Sequence, residues 1–268
     1  MGAPLKSPPV YATVAQVRFN PVLKLDGFLP DIQEGMRRAG FPAYQRHDTV
    51  AIQLSLSQDG QPTPQTVVRP RFVFGNVQKT HSFILDIDAL TLQSTDYGRF
   101  EDFSGVFMRG LVLVHEAVTL SFTDRIGLRY LDRVFPVGGD ELAQYLAPEA
   151  LGLSGKLGDR LGGRPQQSYL ETICEVGTYK LRSRVVVQGG GLAFPPDMVL
   201  GDLLVSKRLE NYDGLHAILD NDGFFEAREN YSPESVAAHL DGIHTIIGDT
   251  FNEITTDHAR RVWSTSND

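Results

Sequence analysis

The feature that most limits what this chain can fold into is an internal correspondence. Met108, Leu111, Val114 and Phe122 match Leu240, Ile243, Ile246 and Ile254 at one constant offset, and the same offset carries Gly110 onto Gly242 and Thr123 onto Thr255. Two opening strands also correspond, with Val17-Arg18-Phe19 matching Leu128-Arg129-Tyr130. Self-similarity of this kind is the mark of a repeated supersecondary unit. The expectation is an internal duplication, with residues 1–121 as the first α+β repeat and residues 122–268 as the second, joined in one compact pseudo-symmetric body.

The periodicities within each half agree with that division. Residues 10–20 alternate, with Tyr11, Thr13, Ala15, Val17 and Phe19 on one face and Gln16 and Arg18 on the other, which predicts a half-buried strand. Phe28, Leu29, Ile32, Met36 and Ala39 recur at helical spacing, and Gly40-Phe41-Pro42 stops that helix. Strands are expected near 43–57, 67–76 and 80–93, with a loop over Gln58–Gln65, and a long helix over about 99–120. In the second half a strand covers about 122–135, a helix 139–150 and a glycine-rich loop 151–164. Further strands are expected near 166–176, 178–188, 202–210 and 213–220. Asp220-Asn221-Asp222-Gly223 reads as a tight hairpin, and Ser232-Pro233-Glu234 opens the last long helix with a serine cap and a first-turn proline.

Each unit thus reads strand–helix–strands–helix, an order that resembles TATA-binding-protein-like folds. The predicted class is α+β, with antiparallel sheets and helices packed on one face. The opposite sheet face is then the natural groove.

Composition narrows the function. Hydrophobic residues make up 41% of the 268, enough for a sizeable core. A net charge of −8 disfavours broad electrostatic binding to nucleic acid or anionic membranes. There is one cysteine, Cys174, so no intramolecular disulfide forms, and a reducing, cytoplasmic location is expected. Cys174 reads as a small packed side chain on a strand. No run of about 18 apolar residues suggests a membrane span, the start does not read as a signal peptide, and Gly2 with Pro4 is a poor myristoylation site.

Two motifs carry a resemblance. Pro4-Leu5-Lys6-Ser7-Pro8-Pro9-Val10 followed by a strand ending in Arg18-Phe19, and Gly127-Leu128-Arg129-Tyr130-Leu131-Asp132-Arg133, resemble the opening and second motifs of a sporadically distributed, uncharacterised bacterial family. The match spans the whole chain. It departs at Tyr11-Ala12, where an acidic residue is expected, and at Asp132, where the family pattern has Asn. The resemblance implies no particular activity.

The candidate ligand-binding residues are Arg18, Arg129, Arg133 and Glu171. Arg18 and Arg129 hold equivalent positions on the face opposite the apolar one, and Arg133 follows Arg129 by four residues on the same strand face. Three guanidiniums there suit phosphate or carboxylate; the competing reading is cross-strand pairing with Glu171, Glu175 or Glu226. Lys180, Arg182 and Arg184 share one strand face and read as a solvated edge or, more sharply, a nucleic-acid groove. Asp86 and Asp88, on one strand face, are candidate carboxylates for a cation or for acid–base work. The histidines lack metal-ligand spacing, so neither a metal nor another cofactor is expected.

Three functions follow. The first is a non-catalytic binding or regulatory protein that holds a partner protein or a small anionic ligand in the sheet groove or at the pseudo-two-fold. The second is a nucleotide- or nucleic-acid-processing enzyme with Arg18, Arg129 and Arg133 as its phosphate site and Asp86, Asp88 or Glu171 for chemistry. The third is a homodimeric scaffold built on exposed edge strands.

Overall fold

A computed structural model describes residues 5–56, 62–163 and 166–265. Gly2, Pro4, positions 58–61 of the expected loop and Arg164 lie outside the described residues.

The chain is an α+β structure built on one large antiparallel sheet. The strands are β1 (Val10–Phe19), β2 (Ala43–Leu56), β3 (Pro62–Gly75), β4 (His81–Asp86), β5 (Ala89–Ser94), β6 (Phe122–Val134), β7 (Gln167–Val176), β8 (Tyr179–Gln188), β9 (His216–Phe225) and β10 (Glu229–Asn230). They are ordered β2-β3-β4-β5-β1-β6-β9-β8-β7, with β10 paired to β6 off that path. The helices are α1 (Leu25–Arg38), α2 (Phe100–Val118), α3 (Pro148–Leu161), α4 (Lys207–Glu210), α5 (Pro233–Ile254) and α6 (Asp257–Ser264). Among the described residues, no helix is long and apolar enough to cross a membrane.

The main core lies between the central strands and α1, α2 and α5. Phe83, Leu85, Leu90, Leu92, Ile126 and Leu128 meet Met36, Phe107, Leu111, Leu240 and Ile243 there. A second cluster gathers Val134, Tyr145, Val187 and Leu219 with Ala259 and Trp263 of α6. The N-terminal end of α5 is set by Ser232, whose side chain accepts from the Ser235 amide, as the sequence predicts.

The two long helices approach the sheet closely at their matched glycines. A Cβ at Gly110 of α2 would overlap the Phe83 ring of β4, and one at Gly242 of α5 would overlap the Tyr179 ring of β8. Gly110→Ala is therefore expected to destabilise the fold by about 1–3 kcal/mol through overpacking. Chemical denaturation reads the change, and an unaltered midpoint would count against this close approach.

Several expected elements differ. The stretch 80–93 is a hairpin of two strands, turning at Ile87-Asp88. In place of a helix over 139–150 and a loop over 151–164, a single 3-10 turn at Leu142–Gln144 precedes α3. Gly152, at φ 55°, is non-helical and divides α3 into two helical pieces across a kink. No strand forms over 202–210: that stretch belongs to an irregular segment ending in α4. The Asp220–Gly223 hairpin is absent, and β9 runs straight through it. Asp220 and Asp222 serve ion pairs there, and Gly223 is small because Ile243 of α5 lies over it. Tyr11 also leaves its expected face. The β1–β6 register slips between Val10 and Ala12, and this bulge re-aims Tyr11 to the other side of the sheet, where it joins Met198 and Leu209. Cys174 is exposed rather than packed, since β7 lies at the sheet's edge.

Candidate ligand groove

The sheet face opposite the helices is not bare. Residues 189–215, between β8 and β9, cross it and bury Tyr11, Leu131, Met198, Leu209 and Ile218 in a third apolar cluster. Side chains from both halves hold this segment down. The Tyr11 hydroxyl donates to the Ala193 carbonyl at 2.9 Å, Gln93 Nε2 to Val199 O at 3.1 Å, and Thr95 Oγ1 to Leu204 O at 2.7 Å. The Leu204 amide in turn donates to Lys79 O at 2.8 Å.

The two arginines of the Gly127–Arg133 motif are the strongest of these clasps. Arg129 is forked onto Asp220 of β9, at 2.6 and 2.8 Å, and also reaches Asp197 of the crossing segment at 2.9 Å. Burial works against its charge, but both carboxylates outweigh that and hold its pKa above the ordinary value. Arg133 is 1% exposed. It donates to the carbonyls of Leu209, Glu210, Gly190 and Tyr212. Every guanidinium nitrogen of Arg129 is thus engaged, and Arg133 spends both terminal nitrogens on the segment, which leaves only its buried Nε without a partner. The expected trio of Arg18, Arg129 and Arg133 does not converge, because the crossing segment that sequence periodicity does not reveal claims two of its members.

Glu171 also stands apart. On β7 it accepts from Arg184 Nε at 2.6 Å, which holds its carboxyl below the usual range. Arg184 reaches on to Asp220 at 3.0 Å. Lys180 pairs with Glu226. The basic strand face of β8 is therefore largely neutralised within the sheet. Among the described residues, no group of histidine, cysteine or carboxylate side chains is placed to hold a metal.

The groove that remains open has two adjoining chambers beneath the crossing segment. One, of about 280 Å³, lies over the β1–β6 seam and is lined by Gln16, Arg125, Gly127, Arg129, Asp197 and Asp222, among others. The other, of about 520 Å³, lies over β3 and β4, with Ala43, Val73, Val77, Ile84, Val199 and Leu200 giving it an apolar wall and His47 and Lys79 also lining it. Arg71, Ile84, Gln93 and Val199 belong to both. Arg71 is already forked onto Asp86, at 3.0 and 3.2 Å.

Arg125 is the least neutralised cation of the smaller chamber. It lies across Gly127, where any side chain would meet its guanidinium, and over the Phe224 ring at 4.4 Å. Its nearest carboxylate, Asp222, is 3.7 Å away, and its hydrogen bond to Gln16 is long, at 3.4 Å. Burial pushes its pKa down, with Asp222 opposing. Burial likewise pushes the Asp222 carboxyl up, with Arg125 opposing. Directly across the ladder from Arg125 stands Arg18, exposed, with its own carboxylate, Asp88, also at 3.7 Å. Like charges opposite each other on neighbouring strands repel. The alternation that marks Arg129 also places Arg125 on the groove face, and that signal was available in the sequence.

Compared with known proteins, the chain matches no family model and no curated protein sequence.

Proposed function

We propose that this chain is a non-catalytic binding protein whose sheet groove holds a small anionic ligand with an apolar body. The observation that carries this reading is the facing pair Arg18 and Arg125, two guanidiniums opposite each other with no carboxylate closer than 3.7 Å in either ion pair. An anionic group between them would relieve their repulsion and take charge-assisted hydrogen bonds. The adjoining chamber offers the apolar wall that the rest of such a molecule needs. Arg129 and Arg133 enter this proposal as the clasps of the roof rather than as ligands.

The duplication is part of the same proposal. The offset that relates Arg18 to Arg129 also relates Gln16 to Gly127, and those two residues pair with each other in the ladder, as a two-fold axis through the seam requires. The close approaches at Gly110 and Gly242 fall on the third strand from the seam on either side. Both features support two copies of one unit sharing a sheet, in the manner of TATA-binding-protein-like folds. The membership suggested by the two motifs belongs here too: Gly127 makes room for Arg125, while Arg129 and Arg133 hold the roof, which gives three residues of the second motif a role in the groove.

Calorimetric titration with octanoate, inorganic phosphate and adenosine monophosphate tests the reading. At least one probe is expected to bind, and Arg125→Gln is expected to weaken it about 10- to 100-fold, the worth of a charged hydrogen bond. Binding unaffected by Arg125→Gln, or no binding together with turnover of a substrate by the purified chain, overturns it. The second outcome is that of the enzyme reading, which one observation favours: Asp222, a carboxyl pushed up by burial, lines the same chamber as Arg125 and Asp86.

A further inference from the structure

The sheet ends at β7 with an edge that is unlike its other end. Nearly every residue of Gln167–Val176 is exposed on both faces, including Tyr169 at 59% and Ile173 at 62%. Natural edge strands are normally blunted by lysine, proline, bulges or a covering element. The described part of β2, the opposite edge, carries Arg46, His47 and Asp48 outward. β7 has no lysine or proline, and its ladder with β8 runs without a slip from Gln167 to Val176. Beside it lies α3, which touches β7 and β8. α3 exposes Leu153, Leu157 and Leu161, a stripe at a spacing of four residues along one helix face.

We infer that β7 is the pairing edge of a homodimer, in which two copies join their sheets antiparallel across a two-fold at Thr172. The occupant is a second copy because the strand is complementary to itself in one register. Glu171, Ile173 and Glu175 share the groove face. Centring the pair one residue to either side of Thr172 sets Glu171 against Glu171 or against Glu175, and like charges directly opposite are unfavourable. Centring it on Thr172 sets Glu171 against Ile173 and Tyr169 against Glu175, while keeping nearly the full strand paired. Arg182, beside Ile173 in the β8 ladder, has a buried Nε without a partner and reaches Glu171 of its own chain only at 3.8 Å. In the dimer it points along the row that ends in Glu171 of the second copy. The two-fold then stands perpendicular to the sheet, so both copies of α3 lie on the same side. The exposed strand β7 and the Leu153, Leu157 and Leu161 stripe of α3 together supply the patch.

Light scattering coupled to size exclusion should give twice the 29.6 kDa chain mass. Ile173→Glu, which sets a second carboxylate directly against Glu171 of the other copy, twice by symmetry, should raise the dimer dissociation constant about 10-fold or more while the melting transition of the monomer remains cooperative. The register has its own test. Native Cys174 faces Leu170 of the other copy, so Leu170→Cys should form an intermolecular disulfide on mild oxidation, whereas the native chain should not. A native chain that is monomeric at every concentration, a dimer whose affinity is unchanged by Ile173→Glu, or a Leu170→Cys dimer that does not crosslink overturns the proposal.

Discussion

Replacing Arg133 with methionine is expected to destabilise the chain by roughly 3–5 kcal/mol, among the larger effects a single substitution gives. Methionine fills most of the arginine's volume, so the loss is one of hydrogen bonds rather than of packing. Four carbonyls, those of Gly190, Leu209, Glu210 and Tyr212, turn inward to this guanidinium. Once it is gone the Leu209 carbonyl is left buried without a donor and the other three, less buried, lose theirs, at about 1–3 kcal/mol for each that cannot reach water. The segment's local release is therefore the second expected consequence. Limited proteolysis should cut the variant within 189–215 under conditions that leave the native chain whole. Arg133→Lys should recover less than half of the loss, because an ammonium presents its donors from one point and cannot span four acceptors. Urea unfolding measures both variants. A midpoint for Arg133→Met within error of the native value would mean that the crossing segment is held by other contacts.

This role shows where sequence reading stops. Alternation placed Arg129 and Arg133 on the groove face correctly, since strand geometry is local and every second side chain must share a side. What each guanidinium finds on that side is not local. Leu209 to Tyr212 lie some eighty residues downstream, in a segment whose backbone bonds go to its own turns, to side chains and to Lys79 rather than to a strand partner. Such a segment has no period to read. The sequence instead suggested a strand there, because Leu203, Leu204 and Val205 are apolar; of these Val205 packs on the core under the segment, while Leu204 is exposed.

The α+β class and its antiparallel sheet were legible for a different reason. The long helices and central strands are amphipathic over many turns, and matched glycines at close helix–sheet approaches leave a visible trace in the sequence. The misreading of Asp220-Asn221-Asp222-Gly223 as a hairpin has a physical cause too. Turn residues are favoured where the chain needs carboxylates or no side chain at all, and β9 needs both in its middle: Asp220 and Asp222 for the arginines of β6 and β8, and Gly223 under Ile243. Arg125 follows the same alternation as Arg129; the internal match relates Arg18 to Arg129, whereas the ladder sets Arg18 opposite Arg125.

Asp132 should make the stability of this chain fall as pH rises from about 4 to 7, and Asp132→Asn should abolish that fall. The residue is 6% exposed, on the helix side of β6 opposite Val10 and Leu219, one row along from Thr13 and Asn221, whose Oγ1 and Nδ2 are themselves buried without partners. Burial alone pushes its carboxyl from 3.8 up to about 7. The sign follows from proton counts. Between those two values the folded chain holds a proton here that the unfolded chain has released, so unfolding is favoured as pH rises, and the penalty is complete above the folded value. At 1.36 kcal/mol per pH unit it amounts to roughly 4 kcal/mol at pH 8 and vanishes near pH 4. Asparagine, which carries no charge at any pH and is the residue the resembled motif has here, escapes it. His81, His216 and His244 oppose this trend, since burial lowers their pKa values and they cost stability as pH falls below the unfolded histidine value. Their contribution is common to both proteins and cancels in the difference. Denaturation of the native chain and of Asp132→Asn at pH 4.5, 6 and 8 should give curves that converge at the acid end and separate by several kcal/mol at the alkaline end, with the variant more stable. Parallel curves across that range would show that Asp132 is already ionised and solvated in the fold.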